Sequence, residues 1–295
     1  YDEAGSLHLA YAADEWQVLK ELAEIYRHRG YTLLSPAEIK KKSAVVVQTG
    51  LLGGLYSSQE LIVDPRSAIR NIPAWLSEKF DVKFLWGKTV TDVVYPAVYT
   101  GADELEADEI YVCSGADFET LYPQLYTALP VVKCKLQMMR MVKQAERIGP
   151  ALCGALSLVH YNSFKVAPTL EELTERFSNE NAGFLKLGIH VMLSQNQEGE
   201  LTIGDSHEYG LTHDPFNKQF INEMILNYLK KFARFEEESI IETWNGIYLK
   251  LTNGQTEIIL NPEQGVTIIN GLGGAGMTLC FGLCEKLFIN KALKT

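Results

Sequence analysis

The sequence lacks the short patterns that mark several common enzyme classes. It contains no Cys-x-x-Cys pair, no His-Glu-x-x-His run and no Gly-x-Ser-x-Gly turn. These absences argue against a zinc site, a zinc protease and a serine hydrolase of the nucleophile-elbow type. The sequence also has no apolar run of membrane-spanning length and no recognisable signal peptide. We therefore expect no membrane partner.

Positive charge is also scarce. The formal net charge is −10, and the longest basic run is Lys40-Lys41-Lys42. Binding to nucleic acid or to an anionic membrane surface requires a basic patch, so we expect neither as a partner. The five cysteines are an odd number. We interpret them as reduced thiols of a cytoplasmic protein rather than as a disulfide framework.

The residues that are present are typical of a globular enzyme. The chain has 295 residues, of which 46% are apolar and 22% charged, enough for one large core or two ordinary ones. Near the C-terminus, an apolar strand over residues 266–269 leads into a glycine-rich turn over 270–276 and then into helical periodicity. Such a turn either brings backbone N–H groups close to an anionic ligand or simply packs a helix against a strand.

Helices and strands are predicted along the whole chain. We predict one helix over residues 16–29, a second over 64–80 and a third beginning at Asp214. Asp64 is the predicted cap of the second helix. The predicted buried face of that second helix consists of Ile69, Ile72, Trp75 and Leu76. Predicted strands include residues 82–86, 89–95, 109–113, 133–141, 240–251 and a hairpin over 188–205. A strand-rich middle between segments of α/β character indicates two interleaved domains.

One group of acidic and histidine residues has the composition of a metal site. Its members are Asp205, His207, Glu208, His213 and Asp214. Their spacing matches no common ligand pattern, and Asp214 is more simply explained as a helix cap. We therefore predict a hydrogen-bonded loop and no metal. His190, on the predicted hairpin, is either a satisfied sheet histidine or a pocket residue.

Seven blocks of sequence, in order along the chain, carry a resemblance to a known family. They are Gly5-Ser6-Leu7-His8-Leu9-Ala10, Asp64-Pro65-Arg66, residues 112–117, residues 135–140, residues 199–210, Trp244-Asn245-Gly246-Ile247-Tyr248 and Gly274-Ala275-Gly276-Met277-Thr278. Together they resemble the D-amino-acid oxidase and glycine oxidase superfamily of FAD-dependent amine oxidoreductases, and within it a clade associated with phosphonates.

The resemblance implies a mixed α/β fold. An FAD-binding Rossmann-like domain would be interleaved with an antiparallel-sheet substrate domain. The family begins with a strand, a Gly-x-Gly-x-x-Gly turn and a helix, and none of these precedes Tyr1. We therefore expect the first βαβ unit to be missing from this chain. The implied substrate domain covers residues 1–55 and 131–252, and the implied FAD-binding domain covers 56–130 and 253–295.

The resemblance implies FAD as the cofactor. The family pattern places Val90 beside the adenine through its backbone, and Ser114, Gly115 and Ala116 along the FAD molecule. The residues implied to lie against the flavin ring are Gly273, Gly274, Gly276, Met277 and Thr278. Backbone N–H groups and the Thr278 hydroxyl would stabilise negative charge that develops on the ring.

The resemblance also suggests a substrate class. Amino-acid oxidases of this superfamily usually have an arginine, which grips the substrate carboxylate, at the position that matches Tyr248. Tyrosine cannot form that bidentate pair, so we expect a different anion, a phosphonate. His190 is the first candidate to bind it, and His190 and Tyr248 are the candidate catalytic positions. Weaker candidates, each of which could equally be structural, are Lys135, Arg140, Tyr161 and His207.

The predicted function is oxidative deamination of a small aminophosphonate to an aldehyde, with dioxygen as the electron acceptor. The substrate would be 2-aminoethylphosphonate or an N-methylated or hydroxylated form of it. One alternative is a glycine, sarcosine or D-amino-acid oxidase, which would need a carboxylate clamp other than Tyr248. The other alternative, of a different class, is a non-catalytic subunit or remnant.

Overall fold

The computed structural model describes residues 1–101 and 103–292. Its strands are β1 (Ser6–Ala10), β2 (Thr32–Leu34), β3 (Gly53–Ser57), β4 (Asp92–Val94), β5 (Ala97–Thr100), β6 (Asp103–Glu106), β7 (Ile110–Val112), β8 (Val131–Met141), β9 (Ala151–Cys153), β10 (Met192–Gln195), β11 (Leu201–Gly204), β12 (Glu208–Gly210), β13 (Ile240–Leu251), β14 (Ile258–Leu260) and β15 (Val266–Asn270). Its α-helices are α1 (Ala13–Ile25), α2 (Pro36–Lys42), α3 (Pro65–Phe80), α4 (Pro123–Thr127), α5 (Leu156–His160), α6 (Leu170–Glu180), α7 (Ala182–Lys186), α8 (Gln219–Leu229) and α9 (Gly276–Ala292).

The chain forms two compact units that alternate along the sequence, and both mix helices and strands. The first unit consists of Tyr1–Val82, Leu136–Glu208 and Asp214–Gly246. The second consists of Lys83–Lys135, Tyr209–His213 and the described residues from Ile247 onward. The mixed α/β class predicted from the sequence is confirmed. The assignment of cofactor and substrate roles to particular ranges stays a prediction.

The first unit is built on a mainly antiparallel sheet. Its strand order is β8-β11-β10-β9-β1-β3-β2, and β13 also pairs with β8. The pair of β1 with β9 is parallel, whereas β1 pairs with β3 and β10 with β11 in the antiparallel direction. The helices α1, α6 and α8 bury apolar side chains in one core, which includes Val18, Leu19, Leu22, Leu173, Phe177, Ile221 and Ile225. This core holds the strand ends and loops from which His190 and His207 project.

Helix α3 forms over the predicted range but without the predicted buried face. Asp64 caps it, as expected, by accepting a hydrogen bond from the Arg66 N–H. No side chain of α3 is buried: Ile69 is 64% exposed and Trp75 52% exposed. Local signals, a capping carboxylate and a proline in the first turn, are enough to place this helix. Which of its faces is covered depends on other elements, and most of its apolar side is exposed, with only Leu76 of the predicted face half-buried.

Three other local predictions were wrong. The predicted strand over residues 82–86 is irregular, and the one over 89–95 is reduced to the three residues of β4. Asp214 is not the cap of the following helix, because α8 begins only at Gln219. The Asp214 carboxylate instead accepts a hydrogen bond from the Phe216 N–H at 3.0 Å, which forms a local turn.

The second unit contains two small sheets, with orders β14-β15-β7 and β4-β5-β6. Its separate core includes Ile110, Val112, Ile258, Val266 and Ile268. Strands β7 and β15 are parallel, with Ile110 opposite Val266 and Val112 opposite Ile268. Parallel strands end at the same edge of a sheet, and ligands of α/β folds bind there.

Among the described helices, none combines the length and apolar character that crossing a bilayer would require.

Candidate cofactor and substrate sites

The edge where β7 and β15 end carries two of the predicted cofactor-binding segments. Strand β7 leads into Ser114, Gly115 and Ala116, and β15 leads into the glycine-rich turn. A cavity of about 400 Å³ opens beside β7. Its lining includes Val90, Val93, Val98, Ile110, Val112 and Ser114. The cavity therefore joins two residues that the sequence analysis assigned to FAD, Val90 and Ser114, with apolar walls suited to an aromatic base.

Atoms at the end of β7 have the properties of a ligand site. The Ser114 Oγ is buried and has no hydrogen-bond partner among the described residues. Gly115 has φ 63°, and no atom lies within 4 Å of the point that a Cβ would occupy there. A buried hydroxyl without a partner is costly unless a ligand satisfies it. The unused donor and the open space fit a polar cofactor such as FAD.

Asn270, which the sequence analysis did not single out, connects the two cofactor-binding segments. Its Nδ2 donates to the Gly115 carbonyl and to the Tyr126 hydroxyl, both at 3.0 Å. Its Oδ1 accepts a hydrogen bond from the Gly271 N–H at 2.8 Å. The available signal was a polar residue that directly follows an apolar, β-branched strand. Asn270 thus fixes one turn relative to the other.

The glycine-rich turn is covered by Tyr248. Residues Gly273–Ala275 form a 3-10 turn, and α9 begins at Gly276. A Cβ on Gly274 would lie 3.2 Å from the Tyr248 hydroxyl oxygen, and a Cβ on Gly273 would lie 3.7 Å from the Tyr248 ring. The structure therefore brings Tyr248 against Gly273 and Gly274. The remaining predicted flavin contacts, Gly276, Met277 and Thr278, form the N-terminal turn of α9, where backbone N–H groups have no intrahelical partner.

In the first unit, three segments bring a second set of predicted residues together. Tyr161 follows α5, His190 precedes β10 and His207 follows β11. The backbones of His190 and Asp205 exchange two hydrogen bonds of 3.3 Å, which extends the β10–β11 hairpin. The Tyr161 hydroxyl lies 3.0 Å from His190 Nε2. His160, at the end of α5, stacks on His190 with ring centroids 3.8 Å apart and an interplanar angle of 5°.

The histidine cluster is composed of His160, His190 and His207, and burial controls the ionisation of His190. His190 and His207 are buried, and His160 is half-buried. Burial, together with the neighbouring imidazoles of His160 and His207, holds the pKa of His190 well below its ordinary value. Burial raises the pKa of the Asp205 carboxyl to about 8. At neutral pH the imidazole of His190 is therefore uncharged and the Asp205 carboxyl is largely protonated.

Arg140 lies in the first unit but its charge is matched by acidic partners. Its guanidinium is 2.8 Å from Glu200 and 3.4 Å from Glu242, and it lies over the ring of Trp244 at 5.6 Å. Asp64 lies 3.9 Å away. A substrate anion would have to compete with these carboxylates, so the geometry favours a structural role for Arg140.

The other predicted residues are distributed between the units. Lys135 is almost completely buried and belongs to the second unit. Glu208 forms an ion pair with Lys218, and His213 Nε2 lies 3.1 Å from the Lys133 carbonyl oxygen. These contacts fit the hydrogen-bonded loop predicted for residues 205–214. The sequence analysis missed His160, because no pattern links it to histidines 30 and 47 residues further along the chain.

Solved structures with the same fold include a glycine oxidase and an L-proline dehydrogenase. The glycine oxidase of Geobacillus kaustophilus superposes with a TM-score of 0.66 at 15% identity, covering 92% of this chain and 66% of that one. The L-proline dehydrogenase of P. horikoshii gives 0.69 at 18% identity, covering 93% and 68%. The chain thus spans about two thirds of the length of these proteins. At such low identity the likeness concerns the fold alone.

Sequence comparison points the same way. Over 114 residues the chain is 31% identical to D-amino acid dehydrogenase 2 of Mesorhizobium japonicum, which covers 37% of this chain and 27% of that protein. The sequence profile of the DAO family, described as FAD dependent oxidoreductase, matches residues 1–288. This match extends through both units and includes the cavity beside β7, the glycine-rich turn and the histidine cluster. The chain belongs to the DAO family of FAD-dependent oxidoreductases.

Proposed function

We propose that the protein oxidises the amine-bearing carbon of a small aminophosphonate, such as 2-aminoethylphosphonate, to an imine that hydrolyses to an aldehyde. Family membership over residues 1–288 supports the reaction class. FAD, when bound, supplies the two-electron acceptor for the hydride, and dioxygen is the proposed final acceptor. The amine would bind as its free base, so the chain would need no dedicated group to remove a proton before oxidation.

The second unit supplies the groups that would hold the cofactor. The buried Ser114 Oγ has no partner among the described residues and would donate to a polar group of FAD. The backbone N–H groups of Gly276 and Met277 and the Thr278 hydroxyl lie in the first turn of α9. The N-terminus of a helix favours negative charge, so these groups would stabilise electron density on the flavin.

The position of Tyr248 is the observation that carries the substrate proposal. Its hydroxyl lies against Gly274, within the turn proposed to contact the flavin. A residue there would be close to the reacting end of the cofactor. A tyrosine offers one hydroxyl and no positive charge, whereas an arginine would offer a bidentate grip on a carboxylate. An amine that carries an anion other than an α-carboxylate fits this position better than an amino acid does.

We propose that the phosphonate group binds at the convergence of His190, His207 and Tyr161 in the first unit. The Tyr161 hydroxyl and His190 Nε2 are 3.0 Å apart and hydrogen-bond each other. The Tyr161 hydroxyl would become available as a donor to a ligand that replaces this contact. A phosphonate has three acceptor oxygens and is best held by several converging donors. Lys135 belongs to the second unit and is not part of this proposed site.

A second candidate function is oxidation of glycine, sarcosine or a D-amino acid. The 31% identity with D-amino acid dehydrogenase 2 over 114 residues favours it. This function would require a cationic clamp for the α-carboxylate at a position other than Tyr248.

The test is an anaerobic titration of the flavoprotein, followed by flavin absorbance. We expect 2-aminoethylphosphonate and its N-methyl form to bleach the oxidised band, and glycine, sarcosine and D-alanine to leave it unchanged. Replacement Tyr248→Arg should raise the response to the amino acids, because arginine restores the bidentate pair. Tyr248→Phe serves as the matched control, since it removes the hydroxyl without adding charge.

Each outcome separates the candidates. Bleaching by glycine, sarcosine or D-alanine alone would refute the aminophosphonate proposal and support the second candidate. A protein that binds no flavin, even when unfolded and refolded with FAD, would refute both and favour a non-catalytic subunit.

A further inference from the structure

Three histidines from separate segments of the first unit converge on one point. They are His160 at the end of α5, His190 before β10 and His207 after β11. One ring nitrogen of each lies within 4.8 Å of the other two. Gly188 makes part of this approach possible: it has φ 57°, and a Cβ there would lie only 2.7 Å from the His207 Cβ.

The two buried histidines share a hydrogen-bond partner, the Gly188 carbonyl oxygen, which lies 3.0 Å from His207 Nδ1 and 3.4 Å from His190 Nδ1. Asp205 Oδ1 also lies 3.0 Å from His190 Nδ1, but without the geometry of a hydrogen bond. An acceptor at Nδ1 places the ring proton there, so Nε2 is the ring atom that can coordinate an ion. Metal-binding histidines almost always have this arrangement, in which a carboxylate or a carbonyl orients each ring.

We propose that the histidine cluster binds one divalent transition-metal ion through His190 Nε2, His207 Nε2 and a ring nitrogen of His160. Asp205 and the Gly188 carbonyl then act as positioning groups for the two buried rings. No metal was predicted from the sequence, because the spacing of the group from Asp205 to Asp214 matches no ligand pattern, and His160 lies outside that group. Only the fold brings the third imidazole to the site.

Metal binding requires two local movements. Ligand nitrogens about 2.0–2.1 Å from a tetrahedral ion are roughly 3.4 Å apart, so the rings must approach each other slightly. The parallel rings of His160 and His190 cannot both aim in-plane lone pairs at one ion, so His160 must turn out of the stack. His160 is the half-buried member and lies at a helix end, where such a turn meets least resistance. The ion also replaces the Tyr161 hydroxyl at His190 Nε2.

The ligand chemistry selects the ion. Three imidazole nitrogens suit Zn²⁺, Co²⁺, Ni²⁺ or Cu²⁺, whereas Mg²⁺ and Ca²⁺ require mostly oxygen ligands. Three protein ligands leave a position open on a four-coordinate ion. A phosphonate oxygen would fit that position and would pair with the positive charge of the ion. This last step rests on the proposed function, but the metal site itself does not.

The test is a titration of tag-free, chelator-treated flavoprotein with Co²⁺ in the absence of substrate. We expect one equivalent to bind and give the visible absorption bands of tetrahedral cobalt, and Zn²⁺ to abolish them by displacement. His160→Ala and His207→Ala should each weaken binding by more than about 100-fold, since loss of an orienting partner alone costs about 10–100-fold. Asp205→Asn should weaken it by about 10–100-fold. His28→Ala, on an exposed turn of the same unit, should bind as the wild type does.

The proposal is overturned if the wild-type protein binds well below one equivalent, or if His160→Ala and His207→Ala bind cobalt as the wild type does. Circular dichroism checks the fold of each variant. If His207→Ala does not fold, His160→Ala at the half-buried position decides. The metal site and the proposed function are tested separately. Cobalt binding without flavin bleaching by any phosphonate would support the metal site and refute the proposed function. Flavin bleaching by phosphonates without cobalt binding would support the proposed function and refute the metal site.

Discussion

His8 is a titratable side chain in an apolar setting. It lies on β1, edge-to-face with Phe164 at a centroid distance of 5.2 Å. The residue as a whole is half-buried, but its Nε2 is shielded from solvent and has no hydrogen-bond partner among the described residues. Burial lowers the pKa of His8 from 6.5 to about 4. The folded protein therefore holds this imidazole in its neutral form.

Acid should destabilise the protein partly through His8. As pH falls from 6.5 to about 4, the unfolded chain takes up a proton at this residue while the folded chain does not, so stability decreases across that window. The contribution is at most about 3 kcal/mol. His8→Phe should therefore lose less stability than the wild type between pH 7 and 4.5 in urea unfolding. Part of the loss should remain, because the pKa of His190 is lowered in the same direction.

His28→Phe is the control for this comparison, since His28 is exposed. Equal pH dependence of His8→Phe and the wild type would show that His8 is already protonated, or equally protonated in both states, across the window.

Single residues also show where sequence reasoning succeeds. Asp64 was predicted as a helix cap from local chemistry, and it caps the start of α3 as predicted. Ser114 was placed from a family resemblance, and it lies in a cavity with an unused hydroxyl. His160 could not be predicted, because its contact with His190 depends on how α5 packs beside the hairpin. Contacts between residues far apart in the sequence cannot be predicted from the local sequence pattern.

At the scale of elements, the loop after β7 and the loop after β15 are held together by one amide. Asn270 bridges the Gly115 carbonyl and the Gly271 N–H. Both loops carry predicted cofactor contacts, so their relative position should determine how well the cofactor fits.

Asn270→Leu should weaken FAD binding by about tenfold or more, because loss of each such hydrogen bond costs about 1 kcal/mol and leaves the Gly115 carbonyl without its partner. The measurement is release of FAD, followed by recovery of flavin fluorescence on dilution or in dilute urea. Asn261→Ala is the matched control. Asn261 is exposed, and its side chain accepts a hydrogen bond from the Thr267 hydroxyl. Equal FAD retention in both variants would contradict the linking role of Asn270.

Elements also differ in how far their sequence determines them. The strand predicted over residues 240–251 is observed with the same bounds, and that predicted over 133–141 is extended by two residues. Both have long alternating patterns. The range of α3 was predicted equally well, but its buried face was not, because an apolar face shows only that a side can be covered.

At the scale of the whole molecule, each proposed ligand belongs to a different unit. The residues predicted to bind FAD lie in the second unit, and the histidine cluster lies in the first. A ligand that binds only the folded state slows local opening of the segments it contacts, by up to about 100-fold at a hundredfold excess over its Kd.

Hydrogen exchange measured by mass spectrometry should therefore respond differently to the two ligands. FAD should slow exchange in residues 110–116 and 266–278. Co²⁺ should slow exchange in residues 156–161, 188–192 and 203–208. No change in the first pair of segments with FAD would refute the cofactor assignment, and no change in the second set with Co²⁺ would refute the metal site.

The alternation of the two units along the chain has a consequence for biosynthesis. Strand β1 pairs with β9, so Ser6 cannot form this pairing until Ala151 has emerged from the ribosome. The first unit is complete only after Gly246 has been synthesised. The segment Lys83–Lys135 of the second unit emerges in between, and its strand β7 cannot pair until β15 has been synthesised. Neither core can close while the nascent chain is short, and contacts this distant in sequence form slowly. Nascent chains of this protein should therefore expose apolar surface for most of translation and depend on chaperones that bind such surfaces.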